Sequence, residues 1–311
     1  VSDVAAPGGV DPVHLAPSLD DRLERWDVPL FADASMQERM RRAGFVVGPR
    51  VLGGRQIDQL QRLALDVVDR VGASDGLFLT VGRIADPSIR NEVITATGDV
   101  VLPALRDLFV DDAELLGSAL QIKPPSNSSE LNPHQDSSLV DERRWPAVYA
   151  WVPATDTDEG NGGLFVLPGS HRFGNLQRTL NVPWQLHPYI EAMRARGTSL
   201  EVEAGRVVFF DSATVHWSPP NGSGRLRVAV NSFVKPAAAP LMHFFKDDDT
   251  DSGAVEAYVI DLGFFLDESI MDRPGPRHRC LGQWPQVRID WDDTTFASLC
   301  ERAAALAGPV P

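Results

Sequence analysis

The sequence predicts a mainly β protein, a sandwich or barrel, with helices flanking it. Two observations point to the sheet. From residue 118 onward, short runs rich in β-branched and aromatic residues recur: "SALQIK", "AVYAWVPA", "GGLFVLP", "SLEVEA", "RVVFFD" and "RLRVAVNSFV". The turn signals "DTDEGNGG", "PGSH", "EAGR" and "PPNGSG" separate them. A third observation points to the helices: upstream of residue 115 the apolar spacing is helical rather than alternating.

Residues 1–34 are rich in Pro, Asp and Ala with weak periodicity, and read as an irregular arm. Residues 35–115 read as a mostly helical flank. Ser35 can cap a short helix there, and "GFVVGPRVL" reads as a strand. "GRQIDQLQRLALDVVDRV" is amphipathic, with Ile57, Leu60, Leu63, Ala64 and Val67 or Val68 on one stripe. A further helix is expected near "GDVVLPALRDLF", with Pro103 in its first turn. Residues 116–236 form the expected β core, interrupted by 172–198. That insertion carries Trp184, His187, Tyr189 and several arginines, and is a candidate lid or substrate wall. Residues 237–311 read as a C-terminal extension, with a strand at "VEAYVID" and a closing helix at "DTTFASLCERAAALA" capped by Asp or Thr. All of this is expected to form a single domain.

The 311 residues carry 29 Lys and Arg against 43 Asp and Glu, a net charge of −14. Such a surface repels nucleic acid and anionic lipid, so neither is an expected partner. No apolar run approaches the ~20 residues of a membrane span, and the N-terminal stretch has no secretory pattern. A soluble cytoplasmic protein is expected. Cys280 and Cys300 lack zinc-type spacing and are expected to be free thiols.

The chemistry concentrates in "NPHQDSSL" and in "VVFFDSATVHWSPPNGSGRLRVAV". His134 and Asp136 are two apart, and in extended chain such residues point to one side. With His216 they make a two-histidine, one-carboxylate set. That set leaves adjacent coordination positions open, the arrangement of non-haem Fe(II) oxygenases. Arg227 follows eleven residues after His216. Alternation puts Arg227, Ala229, Asn231 and Phe233 on one face, and Leu226, Val228 and Val230 on the other. A buried guanidinium needs an anionic partner, and its planar fork matches a carboxylate. The far carboxylate of 2-oxoglutarate is the expected guest. Arg225 shares this parity, but its spacing to His216 makes it a turn residue.

The stretches "LQIKPP", "HQDSSL", "YAWVPATDTDEGNGGLFVLPGSH" and "GRVVFFDSATVHWSPPNGSGRLRVAVNSF" resemble the phytanoyl-CoA dioxygenase family of Fe(II)/2-oxoglutarate oxygenases. The likeness extends through the N-terminal strand and helix to about residue 245. It implies a double-stranded β-helix (jelly-roll, cupin-like) core with flanking helices. His134, Asp136 and His216 match the family's iron ligands. Arg227 and Ser218 match groups that hold 2-oxoglutarate, Trp151 an aromatic lining its pocket, and Gln135 a position near it. O2 is the other cosubstrate. Asp136 is replaced by a small residue in halogenating relatives, so its presence favours hydroxylation or a related oxidation.

The resemblance implies oxidation of an unactivated C–H. The negative charge argues against a large polyanion such as CoA, so a small metabolite, a secondary-metabolite or amino-acid-type intermediate, is expected. Alternatives are an acyl-CoA or carrier-protein-tethered acyl substrate, a non-catalytic jelly-roll binding protein, or a cupin-type hydrolase or isomerase. A carrier protein needs a basic docking patch, for which Arg143, Arg144, Arg194 and Arg196 are candidates. Candidate substrate-contacting segments are 78–84, 172–198 and 240–248. His171 reads as structural, and His187, His243 and His278 have no carboxylate two residues away, although His243 is a weaker candidate for facing substrate. "DTDEG" and "KDDDTDSG" lack the calcium-loop ligand pattern and read as solvated turns. Asn161, Gly162 and Gly163 are expected to make a tight hairpin turn.

Overall fold

The computed structural model describes residues 11–19, 23–72, 76–174, 177–247 and 253–309. Two antiparallel sheets dominate. The larger contains β1 (Phe45–Arg50), β2 (Leu79–Thr80), β3 (Ala113–Lys123), β5 (Val148–Pro153), β8 (Arg206–Asp211) and β10 (Arg227–Pro236), in the order β1-β8-β5-β10-β3-β2. The smaller contains β4 (Leu131–His134), β6 (Leu164–Val166), β7 (Thr198–Leu200) and β9 (His216–Ser218), in the order β4-β9-β6-β7.

The alternation in the sequence sorts residues between two cores. Val46, Leu120, Ile122, Val152, Phe209, Val228 and Val230 of the large sheet pack with the helices. These are α1 (Ala34–Ala43), α2 (Gly54–Val71) and α3 (Pro87–Leu105). Leu60, Ala64 and Val67 of α2 are the buried stripe read from the sequence. On the opposite face Trp151, Val208, Phe210 and Ala229 meet Leu164, Val166 and Leu200 of the small sheet. Each such side chain contributes about 1.5–3 kcal/mol by leaving water. The inter-sheet face is where the polar residues of interest also emerge.

Three local expectations are corrected. The cap of α1 is Asp33, whose carboxylate accepts from the Ser35 N–H at 2.7 Å, not Ser35 itself. The third helix begins at Pro87 behind an Asp86 cap, so Pro103 lies in its last turn rather than its first. Thr95, Thr97 and Gly98 dilute its apolar pattern; Thr97 is buried because its hydroxyl donates to the Val93 carbonyl at 2.6 Å. Residues 159–161 form a short 3-10 turn that carries the chain from β5 in one sheet to β6 in the other, so they do not close a hairpin.

The C-terminal extension adds a three-stranded antiparallel sheet, β11 (Met242–Phe245), β12 (Ala254–Val259) and β13 (Arg279–Pro285). Its last helix, Asp293–Ala307, is capped by Asp292 on the Thr295 N–H. The insertion contains one short helix, Ile190–Arg194, after a 3-10 turn. The N-terminal arm, where described, holds a two-residue strand and a 3-10 turn. "KDDDTDSG" lies mostly outside the described residues.

Candidate metal and cosubstrate site

β4 ends and β9 begins at the two histidines, and antiparallel register sets His134 directly opposite His216. Their rings are 4.3 Å apart between centroids. Each ring is oriented by a backbone carbonyl two residues earlier. His134 Nδ1 lies 2.8 Å from Asn132 O, and His216 Nδ1 lies 3.0 Å from Thr214 O. A carbonyl only accepts, so each Nδ1 carries a proton and each Nε2 is the ring atom left to face a metal. Asp136, two residues past the end of β4, stands between them. Its oxygens are 3.8 Å from His134 Nε2 and 3.7 Å from His216 Nε2. One ligand atom from each of the three falls within 4.8 Å of the others.

The electrostatics of this cluster call for a cation. Burial pushes the Asp136 carboxyl up, and its Oδ2 is buried with no hydrogen-bond partner. Burial, with His134 alongside, pushes the His216 imidazole well below its ordinary range, so it stays neutral and able to ligate. The Phe210 ring packs against His216, 4.4 Å between centroids.

The far end of the same cavity is cationic. Arg227 opens β10 and is paired in register with Lys123, the last residue of β3. Both are buried. Arg227 Nη2 donates to Ser218 Oγ at 3.3 Å, while its Nε and Nη1 are buried without partners. Burial lowers its pKa to about 10. Lys123 Nζ donates to Ser218 O at 3.0 Å, to Pro219 O at 2.6 Å and to Ser218 Oγ. Burial first, then the Arg227 charge, lower the Lys123 pKa to about 6. The Ser218 hydroxyl itself donates to Gly162 O at 2.8 Å. The Trp151 and Phe78 rings lie 5.7 and 5.8 Å from the guanidinium carbon. Trp151 Nε1 donates to Gln121 Oε1 at 3.1 Å, which leaves the Gln121 amide nitrogen for the cavity that both residues line.

The triad, Arg227, Ser218 and Trp151 thus line one cavity. Gln135 does not line it. Its amide nitrogen donates to Ala213 O at 2.5 Å, and its oxygen accepts from Trp184 Nε1 at 3.0 Å. The expectation of a cosubstrate contact is corrected: adjacent residues on an extended chain point to opposite sides, and Asp136 takes the cavity side. Arg225 is exposed, as a turn residue should be. His171 is buried with Nε2 on Arg41 O, His278 pairs with Glu268, and His187 is exposed. His243 is buried against Phe264, away from the triad's cavity.

Lys123 and Gln121 escaped the sequence reading, which named Phe78 only within the candidate substrate segment 78–84. A signal for both was present. In "ALQIK" the apolar Leu120 and Ile122 alternate with Gln121 and Lys123, the parity that puts polar side chains on the cavity face.

The sequence model of phytanoyl-CoA dioxygenase (PhyH) matches residues 40–229 of this chain. A phytanoyl-CoA dioxygenase of Arabidopsis thaliana is 28% identical over 115 residues, covering 36% of this chain and 41% of that protein. Phytanoyl-CoA dioxygenase domain-containing protein 1 of Bos taurus is 31% identical over 144 residues, covering 44% and 50%. The chain therefore spans about half the length of these relatives. Among solved structures, AviO1 from Streptomyces viridochromogenes Tue57 is similar at 22% identity with a TM-score of 0.44, over 72% of this chain and 98% of that one.

Proposed function

The chain belongs to the phytanoyl-CoA dioxygenase family, and on that premise we propose that it is a non-haem Fe(II), 2-oxoglutarate- and O2-dependent oxygenase acting on a C–H bond of a small molecule. One observation carries the reading. Two imidazole nitrogens and a buried carboxylate oxygen without a hydrogen-bond partner converge at one end of a cavity whose other end holds the Arg227 guanidinium, with its Nε and Nη1 unpartnered.

The residues fit the groups this reading requires. His134, Asp136 and His216 supply two imidazole nitrogens and one carboxylate oxygen, a donor set suited to Fe(II) with positions left open. The unpaired Nε and Nη1 of Arg227 suit a carboxylate, and the amine of Lys123 lies beside it across the strand pair. When bound, iron with 2-oxoglutarate supplies the oxidising power, with succinate and CO2 as co-products.

The chain's own part is binding and placement. Arg227 takes the distal carboxylate of 2-oxoglutarate and so fixes how far its keto acid end reaches toward the triad. Ser218 holds Arg227 and Lys123 in place, and Trp151 walls the cavity. The fixed Nδ1–H tautomers keep both Nε2 atoms aimed at one point. Phe210 packs against His216. The substrate C–H must then be held beside the triad, on the side away from Arg227. Retention of Asp136 favours hydroxylation or a related oxidation over halogenation.

In this reading the whole chain is one catalytic domain, and the two sheets are a double-stranded β-helix with residues 116–236 as its core. The substrate is a small metabolite, a secondary-metabolite or amino-acid-type intermediate. Segment 78–84 meets the cosubstrate end through Phe78, rather than the substrate. A docking patch for a carrier protein finds little support. Arg143 is paired with Asp141 and stacked over Trp284, and Arg194 is paired with Glu130 and Asn132. No helix of the described residues is long and apolar enough to cross a membrane, and we place the protein in the cytoplasm. The test is succinate release from 2-oxoglutarate with added Fe(II), followed by a metabolite screen for a product heavier by one oxygen atom. No succinate under any condition, from folded protein, overturns the reading.

A further inference from the structure

We infer that Arg178, from the 172–198 insertion, is a positioning residue that acts with Glu142 to set the Asp136 carboxylate and the turn before His216 as one unit. This rests on the metal site proposed above and says what holds that site in shape.

Arg178 and Glu142 form an ion pair at 2.6 Å, with both side chains 4% exposed. A buried pair is a poor source of stability compared with apolar residues of the same volume. Its geometry shows another use. Arg178 Nε donates to the backbone carbonyl of Asp136 at 2.8 Å while Nη2 binds Glu142 Oε1. One rigid fork therefore fixes two directions at once, which a lysine cannot do. The same Glu142 oxygen accepts from Ser212 Oγ at 2.6 Å. Ser212 starts the turn that leads through Ala213 and Thr214 to His216, and Thr214 O orients the His216 ring. Gln135 ties Ala213 to Trp184 across the same gap. The two arms of the triad are thus joined behind the metal position by residues that do not touch the metal.

The insertion is fastened on its other side as well. Ser138 N–H donates to Arg178 O at 2.9 Å, Thr179 Oγ1 to Phe244 O at 2.8 Å, and Asn181 Nδ2 to Lys246 O at 2.9 Å. Residues 177–184 therefore form a brace between the Asp136 loop and β11, not a swinging lid.

The experiment is a Co(II) titration of the metal-free protein in the presence of 2-oxoglutarate, followed by calorimetry and by the visible ligand-field band. It compares wild type with the double variant Arg178→Met, Glu142→Met. Removing both charges avoids stranding one of them, so the double variant should melt near the wild-type temperature. Its Co(II) affinity is expected to fall about 10- to 100-fold, with a shifted band, the range for loss of an outer-shell partner. Arg178→Lys, which keeps Glu142 paired in charge but loses the fork, should lose affinity in the same direction and serves if the double variant fails to fold. A folded variant that binds Co(II) within twofold of wild type, with an unchanged band, overturns the brace alone. Wild type that binds no Co(II) overturns the metal site and this inference with it.

Discussion

Arg227 and Lys123 stand directly opposite each other where β10 pairs with β3, both buried. Burial and the Arg227 charge lower the Lys123 pKa to about 6, and the Nε and Nη1 of Arg227 have no hydrogen-bond partner. The arrangement becomes favourable when an anion enters between Arg227 and the triad. This end of the cavity is therefore built for a ligand carboxylate at the expense of the empty state.

Truncating Arg227 should expose that dependence. Arg227→Met removes a charge-assisted, two-pronged pair worth ~2–4 kcal/mol, so the apparent KM for 2-oxoglutarate should rise by one or more orders of magnitude. Arg225→Met, at the exposed turn residue of the same parity, should leave it unchanged. Steady-state succinate assays on both variants check the assignment. Equal effects would place the anchor elsewhere.

Lys123 makes the binding of 2-oxoglutarate pH-dependent. In the empty cavity its pKa is lowered to about 6. A carboxylate nearby favours the charged amine and raises that value. Between pH 6 and the raised value the bound state then holds more protons than the free state. Affinity should be flat below about pH 6 and weaken as pH rises above it, by at most about tenfold per unit. Calorimetry in buffers of different ionisation enthalpy should report up to one proton taken up per 2-oxoglutarate above about pH 6. Lys123→Met should abolish that uptake, and uptake that persists in the variant would assign it to another group.

What could be read from the sequence follows the range of each signal. The candidate ligands His134, Asp136 and His216, with Arg227, lie on or beside extended chain, where side-chain direction repeats every second residue. Parity and spacing made them candidates, and the resemblance supplied their roles. Helix α2 was legible because its apolar stripe is clean, whereas α3 was not, because Thr97 is buried through a bond to its own backbone. Gln135 shows the limit. It sits between two ligands, but extended backbone turns it to the opposite side, toward Trp184 of a distant segment. Lys123 depends on a register across more than one hundred residues, and Arg178 on an insertion with no periodicity. Such contacts are decided by how elements dock.

Asp136 is the ligand whose loss should be most complete. Its Oδ2 is buried without a hydrogen-bond partner, and its carboxylate stands between the Nε2 atoms of His134 and His216. Asp136→Ala removes the only anionic donor in the triad, so the remaining nitrogens bind a divalent ion without charge compensation. Substrate hydroxylation should be lost, which mass spectrometry of the product checks. Full iron-dependent turnover by this variant would remove Asp136 from the ligand set.

Gly162 links the loop between the sheets to the cosubstrate end. Its φ is +77°, and a Cβ there would lie 2.6 Å from Lys123 Cδ and 2.8 Å from Pro219 O. Its own carbonyl accepts the Ser218 hydroxyl at 2.8 Å. Gly162→Ala therefore combines a left-handed backbone penalty with a clash against the group that holds Ser218, a cost of about 1–3 kcal/mol. Because Ser218 carries Arg227, the displacement should pass to the anion site. We expect a melting temperature lowered by several degrees, about 2–4 °C per kcal/mol for a chain of this size or slightly less. We also expect a raised KM for 2-oxoglutarate. Gly160→Ala, two residues earlier, meets only the Asp158 side chain at 3.2 Å and is the control. If both variants lower the melting temperature equally and neither changes KM, the turn acts on stability alone and the path through Ser218 to Arg227 is wrong.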